Sequence, residues 1–382
     1  MGEYELKRLG IFSIYDPDGI IDEYIEYILH ELKMVVNDLI IVVNGKLKWQ
    51  YVGKLKRISE AVIYRHNQGF DGGAFKEVLV NYVKKEHMHQ YDELVLCNDT
   101  CFGPFISFRS IWEEMDTKVA DFWGMNYIDN GLTNHMQGYF IVFRKTLIEN
   151  DMVYSYFCDS IDDNCMDIQE IIATYEKGLW KYLIEKGFSF ESYVECNNLD
   201  MYRYGNVLIR KYGFPFLKKK CFNPRYNNSE ENMIDSLKWI SENTDYDVKM
   251  IKKSCQRLYK IKLDLEKINE IKYLPIVEPV AEYFAVSRNE LEKFIEDATD
   301  IYIYGCGKYG KEIYFLYLRG NNKFRGFVVS DGKESGNAVL YNYSIKTISE
   351  IEMSASIIVA MNYVNRREVV SYIKQKRVIY IL

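Results

Sequence analysis

Residues Arg65–Phe75, RHNQGFDGGAF, hold the densest set of groups able to grip an anion. Asn67, Gly69, Asp71, Gly72 and Gly73 stand between a short apolar run, Ala61–Tyr64, and a helical pattern that opens at Phe75. Glycine lets a backbone turn tightly and approach a ligand closely. The helix that follows offers free backbone N–H groups and a positive dipole end, which suit a phosphate. A Gly-rich turn without a ligand reads the same way. Asn98-Asp99-Thr100, ahead of Gly103-Pro104, is the second group. Its carboxylate can hold a divalent cation on a diphosphate, because hard cations take oxygen ligands. It can equally orient a ribose or sugar hydroxyl, or close an Asx turn. A single carboxylate is a poor metal site, so a cation (Mg²⁺ or Mn²⁺) at Asp99 is an open expectation.

His135 and Gln137 alternate onto one face of an expected strand and can donate to phosphate or sugar oxygens. His87-x-His89 ends a Lys/Glu-rich helix and reads as solvent-exposed. Glu176 precedes an apolar helix face, where a carboxylate can act as general base toward a hydroxyl nucleophile. Asp167 and Glu170, about two and a half and just under two turns earlier, are its rivals. A solvated helix face is the plainer alternative for all three. Tyr202–Arg225 holds seven Lys or Arg residues and no acid. Such a run can neutralise a leaving diphosphate, meet anionic headgroups, or simply face water. Gly305-x-Gly307-x-x-Gly310 sits between a strand and a helix, with Asp331 at the spacing of a ribose-binding acid. It can bind a nucleotide or serve as a docking or oligomerisation module.

The elements that must position these groups alternate. Strands are expected at Arg8–Tyr15, Asp38–Asn44, Ala61–Tyr64 and Tyr91–Cys97, with helices at Ile20–Lys33 and Phe75–Lys85. Alternation of this kind implies an α/β layered domain with a mainly parallel sheet, whose ligands bind beyond the carboxyl ends of the strands. Asp16, the Asn67–Gly73 segment and Asn98-Asp99 all fall at such ends. Further strands are expected at Phe122–Met125 and Gly138–Arg144, and a helix over Asp167–Gly187. Residues 1–228 form the expected main domain. A polar helical connector, broken by Pro275 and Pro279, is expected over 229–298. A small Rossmann-like domain is expected over 299–382, with strands at Asp300–Tyr304, Phe324–Ser330, Ser356–Met361 and Arg377–Ile381.

Composition narrows the classes. The 382 residues allow two or three domains, and their net charge of −6 gives no case for nucleic acid. The 33 tyrosines and 20 phenylalanines fill cores and also offer flat surfaces to sugars and bases. The eight cysteines form no CxxC pair and read as reduced thiols of a cytoplasmic protein. No secretory leader or membrane span is expected.

The segments RLGIFSIYDPDGIIDEYIEYIL, RHNQGFDGGAF, YDELVLCNDTCFGPF, DFWGM, HMQGYFIVFRK, YEKGLWKYLIEKGF and RKYGFPFLKKK, in that order, resemble the rhamnan synthesis protein F family of bacterial glycosyltransferases. The resemblance covers about residues 8–225. It implies a GT-A-like fold that moves L-rhamnose or a related sugar from a nucleotide-activated, dTDP-rhamnose-like donor. The acceptor it implies is a growing surface polysaccharide, as an oligosaccharide or lipid-linked glycan at the cytoplasmic face of the membrane. Carried over by position, Asp16 and Asp18 lie near the base and ribose, and Asn67, Gly69, Asp71 and Gly73 line the donor. Asn98-Asp99 stands where such enzymes place a DxD metal motif, with one carboxylate in place of two. Glu176 resembles the acidic base of related transferases. The C-terminal unit resembles a small domain appended to surface-glycan enzymes, and its ligand is not implied. The rival function is a nucleotide- or NAD-binding regulatory protein acting through that unit.

Overall fold

A computed structural model describes residues 6–196, 198–226, 229–270, 272–277, 284–333, 338–361, 369–370, 373–375 and 377–381. Two compact units share the chain. The first takes Met1–Ile128, Met136–Met166 and Tyr182–Ala281; the second takes Asp129–His135, Asp167–Lys181 and Glu282–Leu382.

The first unit is built on an eight-stranded sheet among the described residues. Its strands are β1 (Arg8–Ile14), β2 (Asp38–Asn44), β3 (Ala61–Arg65), β4 (Glu93–Asn98), β6 (Phe122–Ile128), β7 (His135–Met136), β8 (Phe140–Arg144) and β9 (Phe190–Val194), while β5 (Cys101–Phe102) pairs apart with β10 (Leu217–Lys218). The order is β3-β2-β1-β4-β8-β6-β7, with β9 also on β6. Pairs among β1 to β4 are parallel, and β8 alone runs antiparallel to both its neighbours, β4 and β6. The sheet is thus mainly parallel, as the alternation of strands and helices requires. β1 and β4 are buried along almost their whole length, which explains their continuous apolar runs. The helix Glu23–Lys33 buries Tyr24, Ile25, Ile28, Leu29 and Leu32, the face its spacing announces. Register puts Ser13 level with Val42 on one side and Asn98 on the other, so polar residues meet where the strands end.

The expected connector divides differently. Helices Glu230–Asn243 and Val248–Tyr259 bury Ile234, Leu237, Ile240, Ile251 and Cys255 in the same core as β1 and the helix after it. Apolar residues at helical spacing inside a polar stretch are enough to seat them there. Pro275 follows these helices in the described residues, whereas Pro279 lies outside them. Helices Trp49–Ile58, Phe108–Met115 and Met152–Ser160, and strand β9, were not expected.

The second unit carries a six-stranded sheet among the described residues: β11 (Ile301–Tyr304), β12 (Phe324–Val329), β13 (Val339–Leu340), β14 (Tyr343–Thr347), β15 (Ser356–Val359) and β16 (Arg377–Tyr380), in the order β13-β14-β12-β11-β15-β16. All its pairs are parallel except β13 with β14. It does not start at residue 299. Helix Arg288–Asp297, with a Ser287–Glu290 capping box, belongs to it, as do two mid-sequence segments. Leu132 packs with Leu291 and Ile313 in its core, and Lys177 pairs with buried Glu312 at 2.7 Å.

Candidate active site

Asp71 ties the strand ends of the first unit together. Ser13 Oγ, near the end of β1, donates to Asp71 Oδ1 at 2.8 Å, and Asn98 Nδ2, ending β4, donates to Asp71 Oδ2 at 2.8 Å. Asn44 Nδ2, ending β2, donates to Ser13 Oγ at 3.0 Å, and Arg65 Nη1, ending β3, donates to Asn44 Oδ1 at 2.9 Å. One residue from each of four parallel strands therefore enters a single network. Asn98 Oδ1 in turn accepts from the Thr100 backbone N–H and hydroxyl, the Asx turn expected there.

Asp99 follows, buried, and its partner comes from the basic stretch. β10 pairs antiparallel with β5, Leu217 opposite Phe102 and Lys218 opposite Cys101, and Lys219 N donates to Thr100 O at 3.0 Å. This short ladder lays the lysines along the loop after β4. Lys219 Nζ donates to Asp99 Oδ2 and to Tyr24 Oη, each at 2.8 Å. Burial works to lower the Lys219 pKa, but the Asp99 carboxylate outweighs it and holds the ammonium above its usual range. Burial, reinforced by Asp99, keeps the Tyr24 phenol neutral. Lys218 Nζ donates to Thr100 Oγ1 at 3.0 Å and lies 4.0 Å from the centre of the Tyr139 ring. Arg210 is held by buried Asp235 at 2.6 Å. Arg210, Lys218 and Lys219 thus serve the interior, while Arg203, Lys211, Lys220 and Arg225 are exposed.

Asp16 is engaged as well. Its Oδ1 accepts from the backbone N–H groups of Asp18 and Ile20, and Arg257 Nη2 donates to its Oδ2 at 2.5 Å. Arg257 also reaches Asp22 at 2.8 Å and Asp18 at 3.3 Å. Burial opposes the guanidinium charge, and Asp22 and then Asp16 outweigh it, raising its pKa further. Asp16 and Asp99 both act on Lys219 and on Tyr24, and Asp71 is bound to the neighbour of Asp99. The three carboxylates therefore gather at one end of the sheet, linked through shared partners. Arg257 and the special place of Lys219 went unseen in the sequence. A lone arginine in a polar helix and the middle of a Lys-Lys-Lys run carry no local signal.

Two glycines of the RHNQGFDGGAF segment have a packing task of their own. Gly69 has φ +64°, and a Cβ there would lie 2.8 Å from Asp163 Cα; one on Gly73 would lie 2.8 Å from Gln68 O. The Gly69 N–H donates to Cys165 O at 2.6 Å. These glycines admit the 162–165 loop, and Asn67 stays half-buried before them. Gln137 falls outside the two-residue strand His135–Met136, so it does not share a strand face with His135; its N–H donates to Asn126 O at 3.2 Å.

The remaining expected residues belong to the second unit. His135 is buried, and its Nδ1–H donates to Thr133 O at 2.7 Å. Burial, with Lys177 and Lys308 nearby, pushes its pKa down to about 3, so it is a neutral imidazole and not a cationic donor. Asp167 accepts from Lys311 at 2.5 Å and Tyr341 at 2.8 Å, and Glu170 lies 3.8 Å from Arg319. Both rivals of Glu176 are thus paired within this unit, while Glu176 is half-buried on the same helical run. Gly305, Gly307 and Gly310 lead from β11 into the helix opening at Lys308. Asp331 turns its carboxylate to the Ser349 N–H at 3.1 Å.

A divalent cation at Asp99 fits these residues poorly. Asp99 Oδ2 already accepts an ammonium, and both Asp71 oxygens accept hydrogen bonds from neutral donors. Among the described residues no group of three or more His, Cys, Asp or Glu side chains is arranged to hold a metal ion. No helix among them is long and apolar enough to cross a membrane.

No curated protein matches the chain in sequence. Among solved structures, residues 1–349 of TarS from S. aureus in complex with UDP overlay with a TM-score of 0.33 at 10% identity, over 82% of this chain and 81% of that one. A putative nucleotide-diphospho-sugar transferase from Desulfovibrio desulfuricans G20 overlays with a TM-score of 0.28 at 16% identity, over 53% and 86%. The Mn/GDP form of core-mannan synthase A from Aspergillus fumigatus does so at 0.21 and 9%, over 39% and 63%. Residues 39–286 match the sequence profile of rhamnan synthesis protein F, well over half of the chain, and the chain belongs to that family.

Proposed function

We propose that this chain is a glycosyltransferase that moves a sugar, L-rhamnose or a related one, from a nucleoside-diphosphate donor to a hydroxyl of a growing cell-surface polysaccharide. The acceptor oxygen attacks the anomeric carbon in line as the bond to the diphosphate breaks, which inverts that carbon. The acceptor proton passes to a base, and the nucleoside diphosphate leaves with the bonding pair. The hardest requirement is stabilising that leaving charge. The observation that carries the reading is Lys219, an ammonium only 14% exposed at the carboxyl ends of parallel strands, where α/β sheets bind ligands. An ammonium has three donors; among the described residues Asp99 and Tyr24 take two, which leaves one for a phosphate oxygen. Lys219 then supplies the charge that a metal supplies at a two-carboxylate site. The base is assigned to Glu176 on the family resemblance alone. Membership of the rhamnan synthesis protein F family supports the donor class and the polysaccharide acceptor, used from the cytoplasmic side of the membrane. A main role through the C-terminal GxGxxG unit is not favoured, since the family match ends at residue 286.

Thermal unfolding with a panel of nucleotide sugars, each with Mg²⁺, Mn²⁺ or a chelator, tests this. A rise in Tm with dTDP-L-rhamnose that persists under chelation is expected. A panel in which no nucleotide sugar raises Tm overturns the assignment.

A further inference from the structure

The second unit has a cavity of about 430 Å³ at the carboxyl ends of β11, β12 and β15, lined among others by Cys306, Lys308, Tyr309, Ser330, Lys333 and Met361. That volume falls within the usual range for small-ligand sites, about 300–1,000 Å³. β11 lies between β12 and β15, so the chain's later strands fall on both sides of it. A crevice where strand order reverses in this way is the favoured ligand position of a parallel α/β sheet.

The three glycines of the turn divide their tasks. Gly305 has φ +113°, and a Cβ there would lie 2.8 Å from Ala360 O. A Cβ on Gly310 would lie 1.9 Å from Gly305 O, so the helix rests directly on the turn. A Cβ on Gly307 would meet no heavy atom within 4 Å, although its φ of −84° suits any residue. Neither backbone conformation nor packing calls for glycine at that position. Its bare backbone instead leaves room for something to come close. In glycine turns of this kind, the first residue makes the turn, the second lets a diphosphate approach and the third packs the helix. The charge of the lining agrees: among the described residues it includes Lys308 and Lys333 and no acid. Asp331, at the spacing of a ribose-binding acid, gives its carboxylate to Ser349.

From these observations we infer that the second unit binds a nucleotide, gripped chiefly by its diphosphate over Gly305–Gly307 with Lys308 and Lys333 at the mouth. This site is separate from the sugar-donor site proposed for the first unit.

Calorimetric titration of the full chain with ADP, UDP and NAD⁺ tests the inference and identifies the nucleoside. At least one of the three should bind saturably. Its affinity should fall at least about tenfold in Gly307→Val and in Lys308→Ala/Lys333→Ala, and should hold in Asp99→Asn. The lysine variant alters only exposed side chains, so it stands even if the valine disturbs the turn. Three results overturn the inference: none of the three ligands binds up to about 1 mM, affinity is the same in the lysine variant, or affinity is lost in Asp99→Asn instead.

Discussion

Lys219 Nζ lies 2.8 Å from Asp99 Oδ2 although 120 positions separate them in the sequence, and the two side chains are only 14% and 7% exposed. A pair this enclosed is costly to assemble and more costly to break, because removing one member leaves the other as a lone charge out of water. Its position at the strand ends, and not in the middle of the core, argues for use on a ligand.

Lys219→Met should lower unfolding free energy by about 3–5 kcal/mol, the usual cost of orphaning a buried partner. Asp99→Asn combined with Lys219→Met should recover most of that loss while transfer stays absent. Denaturant unfolding beside a sugar-transfer assay separates the two effects. If Lys219→Met costs no more than Lys211→Met on the exposed surface, the pair is not coupled.

Gly69→Ala should destabilise without a selective effect on donor binding. The left-handed backbone at φ +64° costs a non-glycine residue about 1–2 kcal/mol, and the close approach of Asp163 adds to it. The check is the unfolding midpoint against donor affinity measured well below that midpoint. An alanine variant of normal stability with weakened donor binding would return Gly69 to the ligand.

These cases mark what the sequence could carry. Strands β1, β2 and β4 were legible because burial on both faces leaves continuous apolar runs, β3 as a short apolar run although only Ile63 of it is buried, and the first helix because its apolar residues recur at helical spacing. Antiparallel β8 was legible as a strand but not in direction, since direction is set by pairing partners far along the chain. The helices after residue 229 read as a connector because polar residues outnumber apolar ones in their letters, yet a narrow apolar face seats them in the main core. Asp16, Asp71 and Asp99 were legible as strand-end acids. Their partners Arg257, Ser13 and Lys219 were not, because each reaches them across the fold.

The second unit should lose stability in mild acid through His135. Its folded pKa, about 3, lies below the unfolded 6.5, so between those values the unfolded chain takes up the proton and the folded chain does not. The contribution is intact above pH 6.5 and falls as pH drops, by about 2 kcal/mol between pH 7.5 and 5. Thr133, Lys177 and Lys308 face the imidazole, and Glu312 neutralises Lys177 at 2.7 Å. In His135→Asn, whose amide can still donate to Thr133 O, the same pH step should cost correspondingly less. Equal pH slopes in denaturant unfolding of the two proteins would show that His135 is not the titrating group.

Glu176→Gln tests the base. A carboxylate that takes the acceptor proton contributes about 10²–10⁴-fold to turnover, and the isosteric amide cannot take that proton. The expected outcome is a kcat at least about 100-fold lower with donor KM nearly unchanged, because proton removal belongs to the transition state and not to donor binding. Donor hydrolysis and transfer should be followed separately, since water can replace the acceptor. Asp167 and Glu170 are poor substitutes for the role: Asp167 is held by Lys311 and Tyr341, and Glu170 faces Arg319. Substituting either should act on the stability of the second unit before it acts on rate. A normal kcat in Glu176→Gln would remove the residue from the mechanism while leaving the Lys219–Asp99 site intact.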